Sequence, residues 1–336
     1  ERCGFFQILA GRIIAACRTP QRLLTVTAFL SGGLSALLVN DTVCLFLTPV
    51  VVSACIRARL PMGPYLIALA TSANIGSAAT IVGNPQNMII GSMSGISFSR
   101  FLSFAGPAAL TGLLINALLL HLYYSRRLPE ILPALPNDPE GPSNGYLGVT
   151  ILVTAGIIAG FFAGFHLAYT TLAGVMVLVL IQRKDPRDVF SAVDWSLLVF
   201  FCCLFIVVAG LAGTGIIQGA WDACAPRLSL STPSGVGLFT ALMTLGSNLV
   251  SNVPMVLLTG PHLGILGSGD LGWILLAYST TVAGNLTLLG SVANIIVAEG
   301  AREHHALGFF EYLRFGLVST LLVLPAGITV IYLLGS

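Results

Sequence analysis

Asparagine is the residue type through which this sequence can do chemistry. Asn40, Asn74, Asn84, Asn87, Asn252, Asn285 and Asn294 lie inside long apolar runs, where a polar side chain must find a partner or line a cavity. An amide both donates and accepts hydrogen bonds, so a group of amides suits a polar or hydroxylated solute. Thr42, Ser77, Thr80, Ser251, Thr287 and Ser291 stand near them and can add hydroxyls. The plainer reading is that small polar residues glue helices together and cap helix ends. Asp41 is the acid that falls deepest in an apolar run. Such acids usually face a cavity and serve an ion or proton path; alternatively, Asp41 caps a helix that starts at Thr42.

The elements that must hold these residues are membrane helices. Of 336 residues, 56% are hydrophobic and 8% charged, against roughly 25% charged in a soluble domain. Thirty-seven glycines suit close packing of membrane helices. The fold class expected is an all-α polytopic membrane protein. A net charge of +2 without a basic cluster excludes nucleic acid as a partner. Cys3, Cys17, Cys44, Cys55, Cys202, Cys203 and Cys224 lack zinc-site spacing and read as small hydrophobes. No metal or cofactor is expected.

Run lengths depart from single spans of about 20 residues. Between Arg22 and Arg57 lie 34 residues, all uncharged but Asp41, interrupted by Asn40-Asp41-Thr42. Arms of about 14 to 17 residues are short for full spans, which predicts a re-entrant hairpin over 23–56 with a polar tip. The run 62–95, interrupted at Asn74, Gly76 and Gly83-Asn84-Pro85, reads as one crossing built from two half-helices. A second hairpin is expected over 235–266 and a second broken helix over 271–298. Residues 125–145, rich in proline, form a linker.

The second half repeats the first. Gly4-Phe5-Phe6-Gln7 matches Gly215-Ile216-Ile217-Gln218 at an offset of 211, the Asn40 tip matches Ser251-Asn252-Val253-Pro254 at 212, Asn74 matches Asn285 at 211, and Gly83 and Asn87 match Gly290 and Asn294 at 207. The repeats then run 1–124 and 146–336, with the first lacking its leading spans, so the natural protein is expected to be longer by two or three spans. Lys and Arg in short loops stay cytoplasmic. Counting 62–95 as one crossing puts 13 of the 15 basic residues inside, all but Arg100 and Arg227, and makes the repeats inverted. The linker 125–145 and the loop 183–194 are then cytoplasmic. Unpaired backbone where helix breaks meet predicts a binding site there.

The string from Ser72 to Asn87, the Asn40-Asp41-Thr42 tip and the string from Val282 to Ser291 resemble the ArsB/NhaD-type permeases of the ion transporter superfamily. Within it the chain is most similar to bacterial relatives of plant silicon-efflux transporters, then to arsenite permeases, with citrate and divalent-anion carriers further off. The resemblance implies a scaffold and a transport subdomain, a homodimer in the cell membrane, and elevator-like alternating access. It also implies that solute and coupling ion are held by Asn40, Asp41, Thr42, Asn74, Thr80, Gly83, Asn84, Asn87, Ser251, Asn252, Asn285, Ser291 and Asn294. Sodium-coupled dicarboxylate carriers have Ser-Asn-Thr tips where this chain has Asn40-Asp41-Thr42 and Ser251-Asn252-Val253, a departure that argues against sodium coupling and dicarboxylate binding.

His166, His304 and His305 read as loop residues, Asp194 as a helix cap and Glu299 as an interfacial charge. An intramembrane enzyme would need a nucleophile with a base or a metal pair, and no His-x-x-Glu-His pattern is present. A channel would need a pore-lining ring. The expectation is a secondary transporter, proton-coupled through Asp41, exporting a silicic acid- or arsenite-type solute. The alternative is a sodium- or proton-coupled carboxylate carrier or a sodium/proton antiporter.

Overall fold

The computed structural model describes residues 17–129, 147–183, 185–191, 193, 195–267 and 269–335, and the regular structure among them is helical. Helix α1 (Pro20–Leu37) is joined to α2 (Asn40–Ala58) through Leu38 and Val39. Helices α3 (Met62–Ser77) and α4 (Pro85–Ser94) flank a break at 78–84, and α5 (Phe98–Tyr124) follows. Then come α6 (Leu147–Phe162), α7 (Leu167–Gln182), the short α8 (Pro186–Ser191), α9 (Trp195–Gly213) and α10 (Ile216–Cys224). Helix α11 (Pro233–Val250) is separated from α12 (Asn252–Thr259) by Ser251, α13 (Gly269–Ala283) and α14 (Val292–Gly300) flank a break at 284–291, and α15 (Phe309–Gly335) follows.

Matching signals start matching helices. Thr19 caps α1 by accepting from Arg22 N (3.2 Å), with Pro20 as the first helical residue. Thr232 caps α11 through Gly235 N (3.2 Å), again with proline next. Proline at the first position loses no helical hydrogen bond and arrives with a helical φ.

Among the described residues three helices are long and apolar enough to cross a membrane, α2, α5 with its following turn, and α15, and the bent pair α9–α10 passes the same test when taken together. At 1.5 Å per residue the 27 residues of α15 reach about 40 Å. Leu110, Leu114, Leu118 and Leu122 form one exposed stripe on α5, while Ala105, Ala108, Gly112 and Asn116 are buried. Leu152, Leu180 and Ile206, on α6, α7 and α9, are each more than 70% exposed, a surface suited to lipid rather than water. The chain is an all-α, multi-pass membrane protein.

Helices α3 and α13 form the centre. Every residue from Gly63 to Ser77 and from Ile274 to Ala283 is buried, as expected of helices apolar all round. Backbone approaches backbone where Gly32 meets Gly76, since a Cβ on Gly76 would collide with the Gly32 backbone. Contacts also sort the helix ends. Tyr65 Oη donates to Pro20 O (3.1 Å), and Glu311 packs against Gly63 and pairs with His305 (3.3 Å), which joins the starts of α1, α3 and α15. Arg100 pairs with Asp270 (3.2 Å) and Tyr332 Oη donates to Ser231 O (3.1 Å), gathering the starts of α5 and α13 and, separately, the end of α15 with the approach to α11. Gly335 faces Leu271 and Phe104, which unites those two groups.

Several boundaries differ from expectation. The first two helices have 18 and 19 residues rather than 14 to 17. Asn40-Asp41-Thr42 is not a tip loop but the first turn of α2, with Val39 in the cap position. Asp41 therefore does not cap the helix; it lies one residue inside it, where its charge still faces the positive end of the helix dipole. Asn74 and Gly76 belong to α3, whose break begins at Ala78. Residues Gly4 to Gln7, 130–145, Lys184 and Asp194 lie outside the described residues.

Candidate functional site

The two breaks are built alike. Asn84 caps α4, its Oδ1 accepting from Asn87 N (2.9 Å), and Asn87 Nδ2 donates back to Ser77 O (3.3 Å) and Thr80 O (2.9 Å). In the other break Ser291 holds the cap position, its carbonyl accepting from Asn294 N (3.1 Å). Asn294 Nδ2 donates to Gly284 O (2.7 Å) and Thr287 O (3.1 Å). Each residue of the second set stands 207 positions after its counterpart. The carbonyls that a broken helix leaves unpaired are thus taken up by one amide on each side.

The preceding helix pairs dock on these breaks at equivalent places. Asn40 N donates to Gly83 O (2.8 Å), and Asn252 Nδ2 donates to Gly290 O (3.2 Å), to Thr280 O (3.2 Å) and to Ser247 Oγ. Thr80 Oγ1 donates to Ala36 O (2.7 Å), as Thr287 Oγ1 does to Asn248 Oδ1 (3.4 Å). Both glycines are required by space. A Cβ on Gly83 would strike the Ser77 backbone, and one on Gly290 would lie 2.9 Å from Gly284 O.

Asn74 sits where the halves meet. Its Oδ1 accepts from Asn40 Nδ2 and Ser291 Oγ, both at 3.0 Å, and its Nδ2 donates to Asn285 Oδ1 and Asn294 Oδ1, both at 2.9 Å. All four of its hydrogen-bonding positions are used. Asn285 Nδ2 continues to Thr71 O (3.0 Å), and Thr71 Oγ1 accepts from Asn116 Nδ2 (3.0 Å). Asn40, Asn74, Asn285, Ser291 and Asn294 are therefore brought into one buried network.

A second cluster contains residues that the motifs did not single out. Thr281 Oγ1 accepts from Asn84 Nδ2 (3.3 Å) and Gln86 Nε2 (3.3 Å) and donates to Asn87 Oδ1 (3.4 Å). Ser77 joins it to the first cluster by donating to Asn74 O (2.8 Å) and accepting from Asn84 Nδ2 (3.0 Å). The signal for Thr281 was present in the offset of 207 that relates Asn87 to Asn294, because it carries Asn74 to Thr281 and Ala78 to Asn285. Asn248 and Ser247 were likewise missed.

Three expected residues stand apart. Thr42 and Ser251 are exposed, and Asp41 is half-buried at the rim, its backbone N bonded to Asn40 Oδ1 (3.0 Å). Ser251 has φ +77° and ψ 160°, a region that costs a non-glycine residue about 1–3 kcal/mol. His166 and His304 are exposed, and Glu299 pairs with Arg302 (3.1 Å) at the surface. Among the described residues every buried polar side chain is Ser, Thr, Asn, Gln or a tyrosine, with no Lys, Arg, His, Asp or Glu. No three His, Cys, Asp or Glu groups converge among the described residues. The arrangement can exchange neutral hydrogen bonds and offers no fixed countercharge.

Residues 1–273 match the CitMHS family, described as citrate transporter. The chain belongs to that family. Relatives include the Putative transporter arsB of Dictyostelium discoideum, 29% identical over 100% of this chain and 80% of its own length. The Silicon efflux transporter LSI3 of Oryza sativa subsp. japonica is 34% identical over 98% of this chain and 83% of its own. The Uncharacterized transporter Rv2684 of Mycobacterium tuberculosis is 30% identical over 95% and 79%. These relatives are transporters, and this CitMHS protein is a membrane transporter rather than an enzyme.

Proposed function

We propose that this protein is a secondary active transporter that exports a small hydroxylated solute, of the silicic acid or arsenite type, in exchange for protons. The observation that carries the reading is the Asn74 network, in which every partner is a neutral donor or acceptor. A solute with hydroxyls on several sides can replace those partners one for one. A multiply charged anion would lose its hydration with no cation facing it. The relative named for silicon efflux agrees with this choice.

On this reading α1–α2 and α11–α12 are re-entrant hairpins, and α3–α4 and α13–α14 are single crossings made of half-helices, in two repeats of inverted topology. Support comes from the helix ends. The starts of α1, α3 and α15 meet on one side, and the starts of α5 and α13 meet the end of α15 on the other. Arg22, Arg57 and Arg314 belong to the first side, which the positive-inside rule makes cytoplasmic, together with the linker 125–145 and the loop 183–194. The solute is held by Asn40, Asn74, Thr80, Gly83, Asn84, Asn87, Asn252, Asn285, Thr287, Ser291 and Asn294, with Thr42 and Ser251 at the mouths. Asp41 carries the coupling proton from the rim of the Asn40 turn. The working unit is a homodimer in the cell membrane, moving by alternating access.

The family description favours a second reading, a carboxylate carrier of the citrate type coupled to protons or sodium. Counterflow of labelled solute in proteoliposomes separates the two, with germanic acid, arsenite, citrate, phosphate and sodium as competitors. Competition by germanic acid or arsenite is the expected result. Competition by citrate alone would overturn the hydroxylated-solute reading.

A further inference from the structure

The contacts of Asn74 are repeated, less tightly, at Thr281. Asn74 lies in the last turn of α3 and Thr281 in the last turn of α13, 207 residues later. Each side chain crosses into the break of the other half. Asn74 meets the cap residue Ser291 and Asn294 of α14 at 3.0 and 2.9 Å. Thr281 meets the cap residue Asn84 and Asn87 of α4 at 3.3 and 3.4 Å. Gln86 Nε2, in a side chain 5% exposed, reaches the same Thr281 hydroxyl at 3.3 Å. Hydrogen bonds at 3.3–3.4 Å lie beyond the usual 2.7–3.2 Å range. Three amides therefore converge on a single hydroxyl that holds each of them at long range, in a cluster that Ser77 links directly to Asn74.

We propose that Thr281 and Gln86 form the second half of the solute site, facing the solute from the side opposite Asn74. The solute class is a small neutral hydroxide. Its hydroxyls insert among the slack amides, with Thr281 Oγ1 and the Gln86 amide donating to and accepting from them. The hydroxyl at position 281 sets affinity for the hydroxylated solute, while Asn84 and Asn87 keep their separate task of holding the break. This inference rests on the reading that the two breaks hold the solute, and it names residues which that reading leaves without a role.

The test compares native protein with Thr281→Val, which keeps the branched shape, and Thr281→Ser, which keeps the hydroxyl. Counterflow of germanic acid, arsenite and citrate is measured in proteoliposomes, and melting temperature is measured on the same preparations. Thr281→Val is expected to raise the half-saturating concentration of the preferred hydroxide about tenfold, the loss of one good hydrogen bond. Thr281→Ser should stay within about twofold of native, by retention of that bond. An unchanged half-saturating concentration in a folded Thr281→Val protein overturns the inference. If native protein prefers citrate, the hydroxylated-solute reading falls, and a shift or its absence for citrate in Thr281→Val decides this one separately. Native protein that exchanges none of the three overturns both. Should Thr281→Val not fold, Gln86→Leu removes an amide from the same cluster without altering α13, and the same criteria apply.

Discussion

Replacing Asn294 by leucine tests whether the breaks are held in the way the hydrogen bonds indicate. Leucine keeps the branching of asparagine, though it is bulkier, and removes the donors to Gly284 O (2.7 Å) and Thr287 O (3.1 Å) as well as the oxygen that accepts from Asn74 Nδ2 (2.9 Å). Asn294, Asn74 and Gly284 are buried whereas Thr287 is half-buried, so the Gly284 carbonyl and one Asn74 amide hydrogen have no water to turn to. A buried polar group left without its partner costs about 1–3 kcal/mol, and two of them about 2–6 kcal/mol. Interhelical hydrogen bonds in bilayers average only about 0.6 kcal/mol, because the unfolded helices find other partners. The break carbonyls lack that escape while the chain around Gly290 stays bent, so the larger figure applies. At about 2.1 cal/mol/K of unfolding entropy per residue, the 336 residues lose about 1.4 °C per kcal/mol, so melting in detergent should fall by roughly 3–8 °C. Asn87→Leu removes the donors to Ser77 O and Thr80 O and should fall by a comparable amount, whereas Thr42→Val, at an exposed position, should melt like native protein. Fluorescence-detected melting of the three purified variants provides the measurement. A loss of less than about 1 °C in either Asn variant, below about 1 kcal/mol, would refute the argument that these amides hold the breaks; a large loss in only one would refute their equivalence.

Two further outcomes are expected. Gly76→Ala places a Cβ against the Gly32 backbone, which cannot rotate away, and should cut the yield of folded protein several-fold, while Gly33→Ala, with open space around it, should express normally; size-exclusion profiles of the two decide the point. Asp41→Asn should leave the fold and solute counterflow intact, since Asp41 lies at the rim and bonds to Asn40 through its backbone, but should abolish accumulation driven by an imposed pH gradient; a variant that still accumulates solute with the gradient shows that the proton travels elsewhere.

The two breaks were legible because they need amides and glycines at fixed spacing. Gly83 and Asn87, with Gly290 and Asn294, share both their identity and their distance of four residues, and the two asparagines hold carbonyls at corresponding positions. The helix starts were harder to read. A polar triplet in an apolar run looks like a tip, yet Asn40-Asp41-Thr42 winds as helix because Asn40 Oδ1 takes up the N–H of Asp41 and its own N–H goes to Gly83 O. That last bond joins residues 43 apart, and no local pattern announces it. The pairing of Asn74 with Asn285 shows a different limit. Matching by residue type chose an offset of 211, whereas the hydrogen bonds follow 207 and place Thr281 opposite Asn74. A threonine hydroxyl can stand in for an asparagine amide because each both donates and accepts. Equivalence in these halves therefore resides in where donors and acceptors point, which residue identity records only in part. The four bonds at Asn74 are short and the three at Thr281 are long, so the equivalent clusters are unequal in this conformation.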